Sequence, residues 1–171
     1  TYNHKNYLGQ AIQSVIDQKT DFDFEINIME DCSTDGTQDV ARHYKALYPD
    51  KINLHLNEKN IGRVATQKNT IRGFRTLKSK YFALLEGDDY WCDDTKLQKQ
   101  VDFLESHPEY SACAMNTLKF YEDARLRAHH FLYYGKSSSH QIENVIFLSS
   151  IFHTTNVLYR NVYNGNPPEE F

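Results

Sequence analysis

Three carboxylates, Glu86, Asp88 and Asp89, stand within four consecutive residues, with Gly87 between the first two. Side-chain oxygens gathered this closely can hold a hard divalent cation such as Mn2+ or Mg2+, and such a cation can hold a diphosphate. The same residues can equally make a polar turn that caps the next helix. Taken alone, the stretch supports both readings. The residues before it, 81–85, form a short apolar run that suits a strand buried on both faces. At the carboxyl end of such a strand the acids face the crevice where open α/β sheets bind ligands. Tyr90 and Trp91 follow; they can wall a sugar site or pack into the core.

Two further clusters carry chemistry. Glu30-Asp31-Cys32-Ser33-Thr34-Asp35-Gly36-Thr37 copies the opening of an EF-hand loop at Asp31, Ser33, Asp35 and Gly36. That loop needs a bidentate acid at its twelfth position. Arg42 stands there, and a strand pattern precedes the cluster instead of a helix, so the calcium reading fails. Asp35 or Thr34 is expected to cap the following helix, which leaves Asp31 at the strand end for a base or ribose hydrogen bond. Asn60-Ile61-Gly62-Arg63 is the other cluster. Its glycine permits close backbone approach, and Arg63 can pair with a phosphate or a base carbonyl. The eight histidines show no HExxH or other metal spacing, and most read as surface residues. With no P-loop, no GxGxxG and no GxSxG elbow, a nucleoside triphosphatase, a dinucleotide oxidoreductase and an α/β-hydrolase are disfavoured.

The elements around these clusters alternate. Leu8, Ile12, Val15 and Ile16 predict a helix capped by Asn3 or Asn6. Phe24, Ile26 and Ile28 predict a strand; Val40, Tyr44, Leu47 and Tyr48 a helix; Ile52, Leu54 and Leu56 a strand. Residues 63–77 predict a third helix. Leu97, Val101 and Leu104 predict a fourth, capped by Asp94 or Thr95 and stopped by Pro108. Strands are expected at 110–115 and 152–159 and a short helix at 143–150, while 119–140 shows no period. Helix and strand in alternation signal a parallel sheet. The strand that should precede the first helix is missing from the sequence.

The chain has 171 residues, a net charge of −4 and 40% hydrophobic residues. These values suit one domain and disfavour a nucleic-acid partner. The longest apolar runs fall short of the roughly 18 residues of a membrane span. Cys32, Cys92 and Cys113 make neither a CxxC pair nor a disulfide framework and point to a reducing compartment.

Taken in order, Thr1-Tyr2-Asn3, the 30–37 cluster, Asn60-Ile61-Gly62-Arg63, residues 84–91 and, more loosely, His153-Thr154-Thr155-Asn156 resemble glycosyltransferase family 2. Lys96-Leu97-Gln98-Lys99-Gln100 is similar to bacterial members that act in surface polysaccharide synthesis. The resemblance implies an α/β GT-A fold, Rossmann-like, with a mostly parallel sheet and flanking helices. It implies an inverting enzyme that moves a sugar from a UDP- or dTDP-sugar to a saccharide or lipid-linked acceptor with Mn2+ or Mg2+ as cofactor. Tyr2 would lie beside the base, Asp31 would accept a hydrogen bond from it, and Arg63 would lie near base or phosphates. Asp88 would contact ribose or metal, and Asp89 would hold the metal. The family's general base is expected beyond Phe171. Residues 1–117 would be the nucleotide-binding half and 118–171 the start of an acceptor half, in one domain truncated at both ends. The enzyme would be cytoplasmic, either free or peripheral at the inner face of the membrane. The rival readings are a non-catalytic nucleotide- or glycan-binding module and a sugar-nucleotide nucleotidyltransferase. The latter normally carries a Gly-rich, basic loop near its start, which residues 1–9 do not offer.

Overall fold

A computed structural model describes residues 1–62, 77–122, 127–130 and 152–162. The helix expected at 63–77 and the short helix expected at 143–150 fall almost wholly outside these residues.

The first half is built on a βαβ unit. Strand β1 (Ile26–Glu30) runs parallel to β2 (Ile52–Leu56), in register from Ile26 opposite Ile52 to Glu30 opposite Leu56. A parallel pair needs a crossover, and helix α2 (Thr37–Leu47) supplies it. Helix α1 (Leu8–Ile16) buries Leu8, Ala11, Ile12 and Val15, the stripe that a helical period predicts. Leu8 and Ile12 join Ile28, Ala41 and Ile52 in one apolar cluster.

Two of the expected helix caps differ. Helix α1 is preceded by Tyr7 and has no side-chain cap. The His4 carbonyl instead accepts from the N–H groups of Tyr7 at 3.0 Å and Leu8 at 2.9 Å. Asn3 is drawn away: its side chain accepts from the Thr34 N–H at 3.0 Å. At α2, Asp35 does act on the first turn, from one residue before Gly36. Its Oδ1 accepts from the Thr37 N–H at 2.9 Å and from the Thr37 hydroxyl at 2.6 Å. These bonds hold the Asp35 carboxyl down at a pKa of about 2.

The second half is a three-stranded sheet in the order β3–β7–β4. Strands β3 (Tyr81–Ala83) and β4 (Ala112–Ala114) both run antiparallel to β7 (Val157–Arg160), which lies between them. Alternation of helix and strand suggested a mostly parallel sheet. It holds for β1 and β2, whereas β7 runs antiparallel to both of its neighbours. The strand expected over 152–159 divides into a 3-10 turn (Thr154–Asn156) and β7. Two further short strands, β5 (Leu118–Lys119) and β6 (His129–His130), pair antiparallel in a stretch that shows no sequence period.

Helix α3 (Lys96–Ser106) follows Thr95, whose N–H and hydroxyl are both held by the Asp93 carboxylate. Leu97 and Leu104 are buried as expected and pack with Val15, Trp91 and Leu158; Lys96 and Gln100 are buried beside them.

On the edge of β1 away from β2, where a preceding strand is expected, Thr1 pairs in the parallel pattern. Its amine donates to the Met29 carbonyl at 2.6 Å, and the Asp31 N–H donates to the Thr1 carbonyl at 3.0 Å.

Ile52 and Leu104 are both 0% exposed, one in each apolar cluster. Truncating either to alanine should lower stability by about 2–5 kcal/mol, read as a shift in the denaturant midpoint. Leu47→Ala, at a side chain 56% exposed, should stay within about 0.5 kcal/mol of the parent.

Candidate functional site

The site begins at the carboxyl end of β1. Glu30 is 0% exposed, and its two carboxylate oxygens accept from the N–H groups of Cys32 at 3.0 Å and Ser33 at 2.8 Å. These bonds fold the backbone back on itself and hold Cys32 at a positive φ of 58°. A non-glycine residue is uncommon in that region and persists where its surroundings fix it. The next residue, Asp31, points across to the loop after β2. Its Oδ1 accepts from the Asn57 amide at 2.8 Å and the Ile61 N–H at 3.1 Å, and its Oδ2 from the Gly62 N–H at 3.1 Å. Gly62 takes up a φ of 61° there. A carboxylate has about four lone-pair positions, so most of Asp31's acceptor capacity serves this loop and about one position remains for a ligand.

The first five residues are zipped onto this frame. The Asn3 N–H donates to Ser33 Oγ at 2.9 Å, the His4 N–H to Thr37 Oγ1 at 2.8 Å and the Lys5 N–H to Asp35 Oδ2 at 3.0 Å. The acidic turn after β3 reaches the same place. A Cβ added at Gly87 would stand 2.5 Å from Thr1 Oγ1 and 2.8 Å from His4 Nδ1. Glycine is therefore required here for close approach and not for its backbone angles. The gathering of charge is visible at the Thr1 amine. Burial is the largest influence and depresses its pKa, while Glu30, Asp31, Glu86 and Asp88 pull the other way.

Both sides of the acidic turn are held. Asp88 Oδ1 lies 4.0 Å from His4 Nδ1, and its side chain is 52% exposed. Asp89 Oδ2 accepts from the Thr155 hydroxyl at 2.5 Å and lies 3.7 Å from His153 Nδ1. Glu86 accepts from the Thr154 hydroxyl at 3.3 Å. A shallow cleft of about 280 Å³, lined in part by Gln10, Ser14, Tyr90 and Trp91, opens alongside between α1 and residues 90–94.

The structure thus brings Asp31, Asp88 and Asp89 onto one frame with Tyr2, which is 42% exposed. Arg63 lies outside the described residues. Trp91, open to either role from sequence, is buried at 8% exposure. His4 and His153, given no role from sequence among the eight histidines, are half-buried beside the two aspartates. The signal that pointed to His153, Thr154 and Thr155 was the ordered short match containing them; His4 had none beyond its place after Thr1-Tyr2-Asn3. Among the described residues, no group of three or more His, Cys, Asp or Glu side chains is arranged to hold a metal. Asp88 and Asp89 still offer hard oxygens from two adjacent carboxylates. Mg2+ takes one or two such ligands where waters and substrate phosphates complete its shell, and the same oxygen donors suit Mn2+.

Comparison with known proteins places this geometry. The model of the glycosyl transferase family 2 matches residues 1–164. An uncharacterised protein of Mycobacterium tuberculosis is 39% identical over 123 residues, which cover 72% of this chain and 35% of that protein. The chain therefore spans about a third of that relative's length. The poly(ribitol-phosphate) beta-N-acetylglucosaminyltransferase TarS of Staphylococcus aureus is 28% identical over 112 residues, 63% of this chain and 18% of that protein. The structure of TarS 1–349 in complex with UDP superposes with a TM-score of 0.63 at 18% identity, over 95% of this chain and 45% of that one. The mannosyltransferase PcManGT of Pyrobaculum calidifontis, in complex with GDP-Man and Mn2+, superposes with a TM-score of 0.62 at 18% identity, over 94% of this chain and 42% of that one. At such identities the superpositions speak for the fold, which is the GT-A fold.

The close approach at Gly87 gives a direct test. Gly87→Ala should force the acidic turn away from Thr1 and His4 and cost about 1–3 kcal/mol by overpacking. A fall in the thermal midpoint is the expected reading; an unchanged midpoint would mean that the turn does not seat against residues 1–4.

Proposed function

The chain belongs to glycosyl transferase family 2, and from that premise we propose that it binds a UDP- or dTDP-sugar and transfers the sugar, with inversion, to an acceptor hydroxyl. The observation that carries the reading is the meeting of two sequence-distant loops on residues 1–4: the Asp31 loop with its bonds to Ile61 and Gly62, and the acidic turn at Gly87. A nucleoside diphosphate has a base at one end and two phosphates at the other. It suits a frame with a buried acceptor on one side and paired carboxylates on the other.

In this reading Tyr2 lies beside the base, and Asp31 accepts its ring N–H with the acceptor position left over from the loop. Arg63 lies near base or phosphates. Asp88, the more exposed aspartate, serves ribose or metal, and Asp89 is the main metal ligand. Bound Mn2+ or Mg2+ would offset the charge that develops on the leaving diphosphate. The Thr155 hydroxyl orients that ligand, since by holding Asp89 Oδ2 it leaves Oδ1 to face the donor. The attacking hydroxyl needs a general base on the opposite face of the sugar, and that residue is assigned to chain beyond Phe171. Residues 1–117 form the nucleotide-binding half and 118–171 the start of the acceptor half.

TarS, named for transfer of N-acetylglucosamine to poly(ribitol-phosphate), supports transfer to a polymer; we extend this to bacterial surface polysaccharide synthesis, with a saccharide or lipid-linked acceptor. Among the described residues no helix is long and apolar enough to cross a membrane. The proposed place of action is the cytoplasm, including the inner membrane face.

A thermal-shift panel of UDP, dTDP and GDP, with and without Mn2+, tests the reading in the full-length protein. A ligand at a hundredfold excess over its Kd adds about 2.7 kcal/mol. UDP or dTDP should stabilise weakly alone and strongly with Mn2+, and GDP less than either. Asp89→Ala should abolish the metal-dependent part; a response like the parent's would remove the metal assignment.

A further inference from the structure

Lys96 is 2% exposed, at the start of α3. A buried ammonium is costly unless its surroundings compensate it, and here they do so without a bonded carboxylate. Its Nζ donates to Gln100 Oε1 at 2.7 Å and stands 4.1 Å from the centre of the Trp91 ring. A cation over an indole face is the strongest of the cation–π pairings, and more so when desolvated.

Each partner continues toward the acidic turn. The Trp91 indole N–H donates to the Thr155 carbonyl at 2.8 Å, and the Thr155 hydroxyl donates to Asp89. Gln100 Nε2 donates to the Asn156 carbonyl and to the Cys113 carbonyl, both at 3.0 Å. The ring closes: Lys96 grips the 3-10 turn at Thr155 through Trp91 and at Asn156 through Gln100. Trp91 is also tied to α1, its backbone N–H donating to Ser14 Oγ at 3.1 Å.

We propose that Lys96 is a positioning residue for the acidic turn: its ammonium, held by Gln100 and set against the indole face, fixes Trp91 and the 3-10 turn so that Thr155 orients the Asp89 carboxylate. This rests on the reading of Asp88 and Asp89 as a diphosphate–cation site. Lys96 touches no substrate and acts through Trp91 and Thr155.

Trp91 is the one tryptophan in these 171 residues, so the part of the indole emission that is lost in Trp91→Phe reports on it without a label. The charged or titratable groups that act on Lys96 are Asp93, before α3, and Cys113, on β4; burial outweighs both and lowers the Lys96 pKa to about 8. Burial also raises the Cys113 thiol above its ordinary range. Trp91 emission in the parent should therefore titrate near pH 8, and in Lys96→Met that transition should vanish.

The decisive measurement is the Mg2+-dependent affinity for UDP and for dTDP in the full-length parent, Lys96→Met and Lys96→Arg, followed by titration calorimetry. Loss of an orienting partner behind a metal ligand costs about 10–100-fold in affinity. Lys96→Met should lose at least about tenfold of the Mg2+-dependent affinity for whichever of UDP and dTDP the parent binds, keep the metal-free affinity, and be partly restored in Lys96→Arg. Parent-like Mg2+-dependent affinity in Lys96→Met overturns the proposal. If Lys96→Met does not fold, Thr155→Val breaks the same chain at its other end, with the same expected loss and the same overturning result. A parent that shows no Mg2+-dependent binding of either UDP or dTDP overturns the nucleotide reading itself, and the positioning role with it.

Discussion

A carboxylate sealed from water must find its hydrogen bonds inside the protein, and Glu30 finds them in the backbone that follows it. That requirement shapes the carboxyl end of β1. It bends the chain through a left-handed Cys32 and turns Asp31 toward the loop after β2. It also presents Ser33 and Thr34 to Asn3. The first five residues have no regular secondary structure of their own, yet each bond they make to residues 33–37 has its partner placed by that bend. The acidic turn then seats on those residues through Gly87. The frame is a stack of dependencies with one buried acid at its base.

Polar groups hold the site because apolar packing cannot aim a carboxylate. The two apolar clusters fix helices to sheets, one around Ile52 and one around Leu104. Between them the orientation of Asp89 is settled by a hydroxyl, an indole N–H and an amide. Such a network is valuable only when its members are satisfied, since the low dielectric that strengthens each bond also penalises each vacancy. The half-exposed Asp88 stands outside it, beside His4, and so keeps more freedom to meet a ligand.

Much of this was legible in the sequence, and the failures are instructive. Ile52, Leu54 and Leu56 announce β2 because a two-residue period needs no tertiary information. The clusters at 30–37 and 84–91 can be read as strand-end acids for the same reason. The caps of α1 could not be read, since the His4 carbonyl replaces the cap and Asn3 is claimed by a loop thirty-one residues away. The direction of β7 was hidden too, because periodicity carries no sign. Lys96 and Gln100 did leave a trace. They stand eight and four residues before Leu104, on one helical stripe, where a lysine at a core position asks for an explanation.

Strand β7 occupies the centre of its sheet, with β3 on one side and β4 on the other. Among the described residues β3 pairs with β7 alone, so during synthesis β3 and the acidic turn leave the ribosome before that partner. At roughly 5–20 residues per second they wait on the order of several seconds for β7 to arrive. The βαβ unit of β1, α2 and β2 draws on nearer contacts and can form in that interval; the central sheet must close long loops first and is the slow step. Thr155 comes with β7, so Asp89 meets this hydroxyl only after β7 is made. Until then the nascent chain holds these carboxylates apart and uncommitted, and the proposed cation site waits on the arrival of β7.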